Sequence, residues 1–490
     1  MMWEWHPAAC FWTHRATCQN IQPVSATHLA NTLDMIRMKI ALPLQSQRTA
    51  EATSRHADVF STQGWIRKTA RHGILLATAV MLAACQPPMR LMPSPLAFTQ
   101  GGKQLSADGV AARNAPEIPV FYATNRQILV EMQPPVYTIF PDDKLRMGTA
   151  HMRIGDGSLT WEEVNALSTS AEEGRRPQIK MKSLEEAVVF GKGRDQASSP
   201  AAQAYFAQIN EALAQSRNKD LIIYVHGANK NMQRAIGQAT QFQHFTGREA
   251  VVLTFVWPSG ERVRRYFNDI RTARASIPAF TGLIELLAAN TNARHIDVLA
   301  YSAGAEIASA GLAELGKPKP GETREALKQR LRLGQIYFAA PDADTRTFSD
   351  DIQHYVDLPE RVSLSANLND SALAFAQFRH RASRAGRPDI GELSADQSQF
   401  LIDASRKYGF DLIKIDPSVI PNMSRTSHGF WYTNAWVSND VVATFVRRYP
   451  PQERGLDPQS TDSGVRYWIF PEDYDQRVAA ILAQPATAKH

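Results

Sequence analysis

Ile296-Asp297-Val298-Leu299-Ala300-Tyr301-Ser302-Ala303-Gly304-Ala305-Glu306 is the stretch whose reading decides the fold. A short apolar run stops at a serine, and small, helix-compatible residues follow: Ala303, Gly304, Ala305, Ala308 and Ala310. The pattern predicts a strand that turns sharply into a helix, with Ser302 at the corner. Such a corner holds the serine backbone in a strained conformation so that Oγ points into a cleft, and bulky neighbours would clash there. The usual form is Gly-x-Ser-x-Gly, whereas Ala300 takes the first glycine position here. The bland alternative is a serine that merely follows a buried strand.

Outward from this corner, strands and helices alternate. Leu221-Ile-Ile-Tyr-Val225 is an unbroken apolar run, as is Ala250-Val-Val-Leu-Thr-Phe-Val-Trp257. Runs of this kind read as strands buried on both faces. Gln335–Ala340, Arg361–Ala366 and Asp411–Asp416 continue the series, the last of them read as the final strand. Helices are predicted from the Ser199-Pro200 cap, over 232–245, over 270–289, and after Ser302 to about Leu315. Upstream, Ile118–Arg126, Pro135–Phe140 and Gly148–Ile154 read as strands. The rhythm calls for an α/β fold: a mostly parallel central sheet with helices on both faces, and ligands at the carboxyl ends of the strands.

Composition sets the outer bounds. Of 490 residues, 44% are hydrophobic and 21% charged, which fits a globular protein and excludes a polytopic membrane protein. The net charge of +6 is concentrated upstream: residues 1–72 carry eight Lys or Arg against four Asp or Glu. The remainder is nearly neutral, so no nucleic-acid surface is indicated. All three cysteines, Cys10, Cys18 and Cys85, precede the predicted sheet, which therefore has no disulfide and no thiolate metal site.

Residues 1–64 show no sustained period and read as a leader, either disordered or belonging to an over-extended reading frame. In 65–85, Arg67, Lys68 and Arg71 precede the apolar run Gly73–Leu82 and then Ala83-Ala84-Cys85. A basic start, a core too short to span a bilayer and small residues before a cysteine make a lipoprotein-type signal. Leu82-Ala83-Ala84-Cys85 resembles a bacterial lipobox, which implies lipidation of Cys85 and a membrane anchor. Gln86 at the next position implies, by the same resemblance, the outer membrane of the cell envelope. Residues 86–115, rich in Pro, Gly, Ser and Ala, read as a linker. The domain is expected over 116–448, with 449–490 as a C-terminal extension.

A serine hydroxyl needs an imidazole to take its proton and a carboxylate to hold that imidazole. The chain order serine, acid, histidine selects Ser302, Asp370 and His428, each placed beyond a predicted strand end. Asp370 reads equally as the N-cap of the helix that follows, and Asp342 and Asp344 are its rivals. His354 and His380 fall on stretches that read as charged helix surface. Two backbone amides must face the developing oxyanion. Ala303 supplies one and Ala228, in His226-Gly227-Ala228-Asn229, the other, with His226 read as structural.

Leu221–Asn229, Phe255–Gly260, Ile296–Gly304, Ala339–Asp344, Leu368–Leu373 and Ser427–Trp431 together resemble one family of bacterial α/β-hydrolases, esterase/lipase-like and long catalogued as a domain of unknown function. Val120-Phe-Tyr-Ala-Thr-Asn-Arg126 resembles the segment that opens it, so the similarity runs over 117–446. The resemblance implies an α/β-hydrolase fold with Ser302 as nucleophile, Asp370 as acid and His428 as base. This chain departs from it at Ala300-Tyr301, where Gly-His or Ala-His is commoner. The expectation is a serine hydrolase acting on an acyl ester, without metal or organic cofactor. An acyltransferase using the same triad, or a non-catalytic envelope lipoprotein, are the alternatives.

Overall fold

The computed structural model describes residues 87–99, 115–130, 132, 134–191, 197–248 and 250–483. The leader 1–64 and the signal segment with Cys85 lie outside the described residues, as do residues 100–114 of the expected linker. The strands are β1 Ile118–Val130, β2 Val136–Ile154, β3 Ile179–Phe190, β4 Leu221–Val225, β5 Val251–Phe255, β6 Ile296–Tyr301, β7 Leu333–Ala339, β8 Arg361–Ala366, β9 Phe410–Lys414, β10 Asp457–Ser460 and β11 Arg466–Ile469. They form one sheet in the order β10-β11-β9-β8-β7-β6-β4-β5-β1-β2-β3. Everything from β11 to β1 runs parallel. The two edges are antiparallel, β2 and β3 on one side and β10 on the other.

Strands β4, β5 and β6 are buried at every position, as their unbroken apolar runs require. Alternation along the pleat divides the core into two layers. Ile223, Val225, Val298 and Ala300 pack with the helices Pro200–Gln215, Ile277–Asn290 and Gly304–Leu315. Ile222, Tyr224, Leu299 and Tyr301 face the helices Met232–Phe245 and Ala435–Arg447. The result is the α/β-hydrolase architecture, with Ser302 one residue past the end of a central strand.

Several expectations change in detail. The helix expected over 270–289 is two helices, Tyr266–Ala275 and Ile277–Asn290. They break at Ser276, whose buried hydroxyl accepts from Asn125 Nδ2 at 3.0 Å and donates to the Thr272 carbonyl. Pro278 lacks an N–H and suits the first turn of the second helix. Pro135–Phe140 and Gly148–Ile154 belong to a single strand, β2, which carries Pro141 through irregular pairing near the sheet edge. Within the expected linker, residues 87–99 are docked onto the body. Leu91, Met92 and Ala97 are buried, and the Leu91 amide donates to Pro177 O and the Met92 amide to Gln241 Oε1. Apolar side chains spaced among the prolines supply the anchoring that composition alone hides.

The sheet also runs past Asp411–Asp416, read as its last strand. β11 pairs with β9, and Trp468, Phe470 and Tyr474 are buried, so residues beyond 448 complete the core rather than extend from it.

At the amino ends of the strands, opposite Ser302, Arg448 reaches Asp220, Asp297 and Glu360. His295 lies 3.0 Å from Asp220 and 3.1 Å from Glu360, and those hydrogen bonds lift its pKa to about 9. A histidine whose folded pKa exceeds its ordinary 6.5 stabilises the fold fully below pH 6.5 and loses that contribution as pH rises through about 9. Denaturant midpoints measured across this window should fall with pH, and His295→Gln should flatten the slope.

Candidate active site

Ser302 has φ +53°, in the left-handed region that residues with a Cβ rarely adopt. Its neighbours hold it there. The Ser302 amide donates to Ala339 O at 3.0 Å, and its carbonyl accepts from Ala305 and Asp342. Gly304 permits the close crossing that the corner demands, because a Cβ there would lie 2.5 Å from the Val225 carbonyl oxygen. Ala300 is fully buried among the first layer of the core, so that layer accommodates its methyl group. Tyr301 points to the other face, its ring 5.3 Å from that of His428 and 5.6 Å from that of Tyr432.

His428 lies on the loop after β9. Its Nε2 is 2.8 Å from Ser302 Oγ, and its Nδ1 is 2.6 Å from Asp370 Oδ2. The assignment consistent with both contacts is Nδ1–H donating to the carboxylate, with the Nε2 lone pair accepting from the serine hydroxyl. Asp370 is fully buried and divided between two tasks. Oδ1 caps the helix Ser371–His380 by accepting from the Ala372 and Leu373 amides at 2.9 and 3.0 Å. Oδ2 is left for the imidazole. One side chain thus caps the helix through one carboxylate oxygen and meets the imidazole through the other.

The rival acids are engaged elsewhere. Asp342 accepts from Arg384 Nε and from the Tyr266 hydroxyl, each at 2.6 Å. Asp344 caps the helix Thr345–Gln353. His354 is exposed at that helix's end, and His380 packs against the rings of Tyr266 and Phe267. Neither approaches Ser302 through any described hydrogen bond.

The loop 226–231 runs close beside the serine: a Cβ on Gly227 would lie 2.9 Å from Ser302 Cβ. The Ala303 and Ala228 amides have no acceptor among the described residues. Both are thus available to an oxyanion. His226 is buried, and burial pushes its pKa down to about 3, so the ring is neutral. It stacks on Trp257 at 5.1 Å, Nδ1–H donates to the Gly227 carbonyl, and Trp257 Nε1 donates to the His226 carbonyl. A structural role for His226 agrees with these contacts.

Two residues without an assigned role in the sequence reading fix this geometry. Arg126, at 2% exposure, donates to the carbonyls of Lys230 and Ser259 and so fastens the far end of the 226–231 loop. Asn367, fully buried at the end of β8, donates through Nδ2 to the Arg425 and Ser427 carbonyls on the histidine loop. Its own carbonyl accepts from the Asp370 amide. Asn367 thereby couples the Asp370 turn, through its backbone carbonyl, to the His428 loop, through its side chain. Asn367 falls between the strand Arg361–Ala366 and the segment Leu368–Leu373, and nothing local to the sequence distinguishes a bridging asparagine from a turn former.

A left-handed serine at a strand-to-helix corner, an imidazole on it and a capped carboxylate behind form the arrangement of a hydroxyl nucleophile with its base. Residues 201–442 match the family of alpha/beta hydrolases of unknown function (DUF900). No curated protein matches it. The DUF900 match contains Ala228, Ser302, Ala303, Asp370 and His428 but begins later than Val120, so Arg126 lies outside it. No group of three or more His, Cys, Asp or Glu suited to a metal ion occurs among the described residues. No helix among them is long and apolar enough to cross a membrane.

Proposed function

We propose that the chain is a serine hydrolase that cleaves carboxylic esters through an acyl-enzyme. The observation that supports this reading is the unbroken hydrogen-bonded run from Asp370 through His428 to the Oγ of a left-handed serine. As Ser302 Oγ attacks the ester carbonyl, His428 Nε2 takes its proton, and Asp370 balances the imidazolium. Charge that develops on the carbonyl oxygen meets the Ala303 and Ala228 amides. The proton on Nε2 then passes to the departing alkoxide as the carbon–oxygen bond breaks. Water, deprotonated by the same nitrogen, attacks the acyl-serine and releases the acid with Ser302 restored.

The envelope location belongs to the same proposal. Cys85, acylated, would hold the domain at a membrane, stable anchoring requiring more than one acyl chain. Cys85→Ser is expected to move the protein from the membrane fraction to the soluble fraction, and unchanged fractionation would remove this part of the reading.

A fluorophosphonate probe tests the chemistry directly. Labelling of the wild-type chain that disappears in Ser302→Ala is the expected result. An unlabelled wild type would leave a non-catalytic envelope protein on a hydrolase fold. Product analysis with an added alcohol acceptor distinguishes hydrolysis from acyl transfer.

A further inference from the structure

Past the rings of Tyr301 and Tyr432, on the far side from His428, lies a cavity of about 190 Å3 that Tyr432 lines. Tyr432 meets the ring of Tyr301, which in turn lies against His428. Lys230 also lines this cavity, two residues beyond Ala228 on the loop that approaches Ser302. Arg90, Arg176 and Arg234 add three guanidinium groups, and Glu173 is the one carboxylate-bearing residue in the lining.

Four cations around one small space repel each other, and proteins ordinarily answer such clustering with carboxylate partners. None of these four makes an ion pair among the described residues. Their hydrogen bonds go elsewhere: Arg90 donates to the Arg176 carbonyl, and Arg234 to the Pro87 carbonyl. Arg176 is 8% exposed, and its Nε is buried with no partner. The Lys230 ammonium has no acceptor among the described residues; burial, reinforced by the charge of Arg234, pushes its pKa down to about 8. Gln238 uses Oε1 to accept from the Tyr224 hydroxyl, which leaves its NH2 as a further donor. A solvated basic surface does not explain a buried guanidinium beside a half-buried ammonium. A multiply charged oxyanion, with acceptors for several guanidinium N–H groups at once, does.

We infer that this cavity holds a phosphate group carried by the substrate, so that the substrate class is an acyl ester bearing a phosphate. The inference rests on the serine-hydrolase reading for the word ester, and on the cavity alone for the word phosphate. The phosphate can come from a soluble phosphoester or from a phospholipid headgroup, and the same four cations would recognise either.

Calorimetric titration of the full chain carrying Ser302→Ala, at constant ionic strength, tests binding without turnover. Inorganic phosphate is expected to bind, and Arg234→Gln and Lys230→Gln should each weaken it about tenfold or more, with partial recovery in Arg234→Lys. Thermal melts of each variant check that it is folded, and Arg234→Lys retains the charge where the glutamine variants do not. Absence of phosphate binding up to about 50 mM, or affinity unchanged in both glutamine variants, overturns the site. Co-sedimentation with phosphatidylglycerol vesicles but not phosphatidylcholine vesicles identifies the headgroup source, whereas binding of glycerol 3-phosphate without co-sedimentation identifies the soluble one. In the wild type, kcat/KM for a phosphate-bearing ester should exceed that of its neutral analogue by about tenfold, and a ratio near one overturns the substrate class. Because the titration uses protein without the serine hydroxyl, a failure of the hydrolase reading leaves its outcome unaffected.

Discussion

Ser302→Ala should lower kcat on a carboxylic ester by about 10³- to 10⁶-fold, and His428→Ala by a similar factor. The double variant should be little worse than either single one, because nucleophile and base act as one unit. Asp370→Asn is more informative. The amide oxygen of asparagine can still cap Ser371–His380 as Oδ1 does now, so the fold should lose little. Its NH2 would face His428 Nδ1 and force the proton onto Nε2, which then has no lone pair for the serine hydroxyl. A fall of about 10⁴-fold in kcat with a nearly unchanged denaturant midpoint is the expected pair of results. Ester turnover that survives both Ser302→Ala and His428→Ala would place the chemistry elsewhere.

Asp342→Ala should have the opposite profile. Asp342 and Arg384 are 3% and 2% exposed and lie 2.6 Å apart, with the Tyr266 hydroxyl on the remaining carboxylate oxygen. Removing the carboxylate strands a buried guanidinium whose nearest other carboxylate, that of Glu306, is 4.0 Å away. Breaking a buried pair in this way costs about 3–5 kcal/mol, visible as a large drop in the urea midpoint. Replacing both partners with apolar residues (Asp342→Leu with Arg384→Met) should recover much of that loss, since neither charge is then left unpaired. The backbone bond from the Asp342 amide to the Ser302 carbonyl survives in each variant. Should Asp342→Ala abolish turnover without destabilising the fold, the assignment of Asp370 as the acid would have to be exchanged for Asp342.

Those two aspartates also mark how far the sequence could be read. The central strands were legible because β4, β5 and β6 are apolar at nearly every position, and that pattern leaves few alternatives. The corner at Ser302 was legible because strain requires small neighbours, and small neighbours are visible in a sequence. The choice between Asp370 and Asp342 was not. Each follows a strand, and each precedes a helix. Only packing shows that Arg384, 42 residues from Asp342, occupies it. Asp297 illustrates the same limit, being a carboxylate inside an apparently apolar strand that Arg448 answers from 151 residues away. Residues 87–99 were misread for a different reason: proline content signals the absence of regular structure, not the absence of burial, and Leu91 and Met92 settle the matter through neighbours remote in the chain.

Arg126 carries a consequence for what counts as the protein's smallest cooperative body. It sits on β1, upstream of the DUF900 match, yet its guanidinium secures the loop on which the Ala228 amide depends. A polypeptide cut at 201 and 442 would lose β1 from beside β5, turning an interior strand into a sticky margin. It would equally lose β11 from beside β9. The inherited unit of sequence and the unit that folds and holds its chemistry in place therefore have different borders, and the second is the larger by several strands.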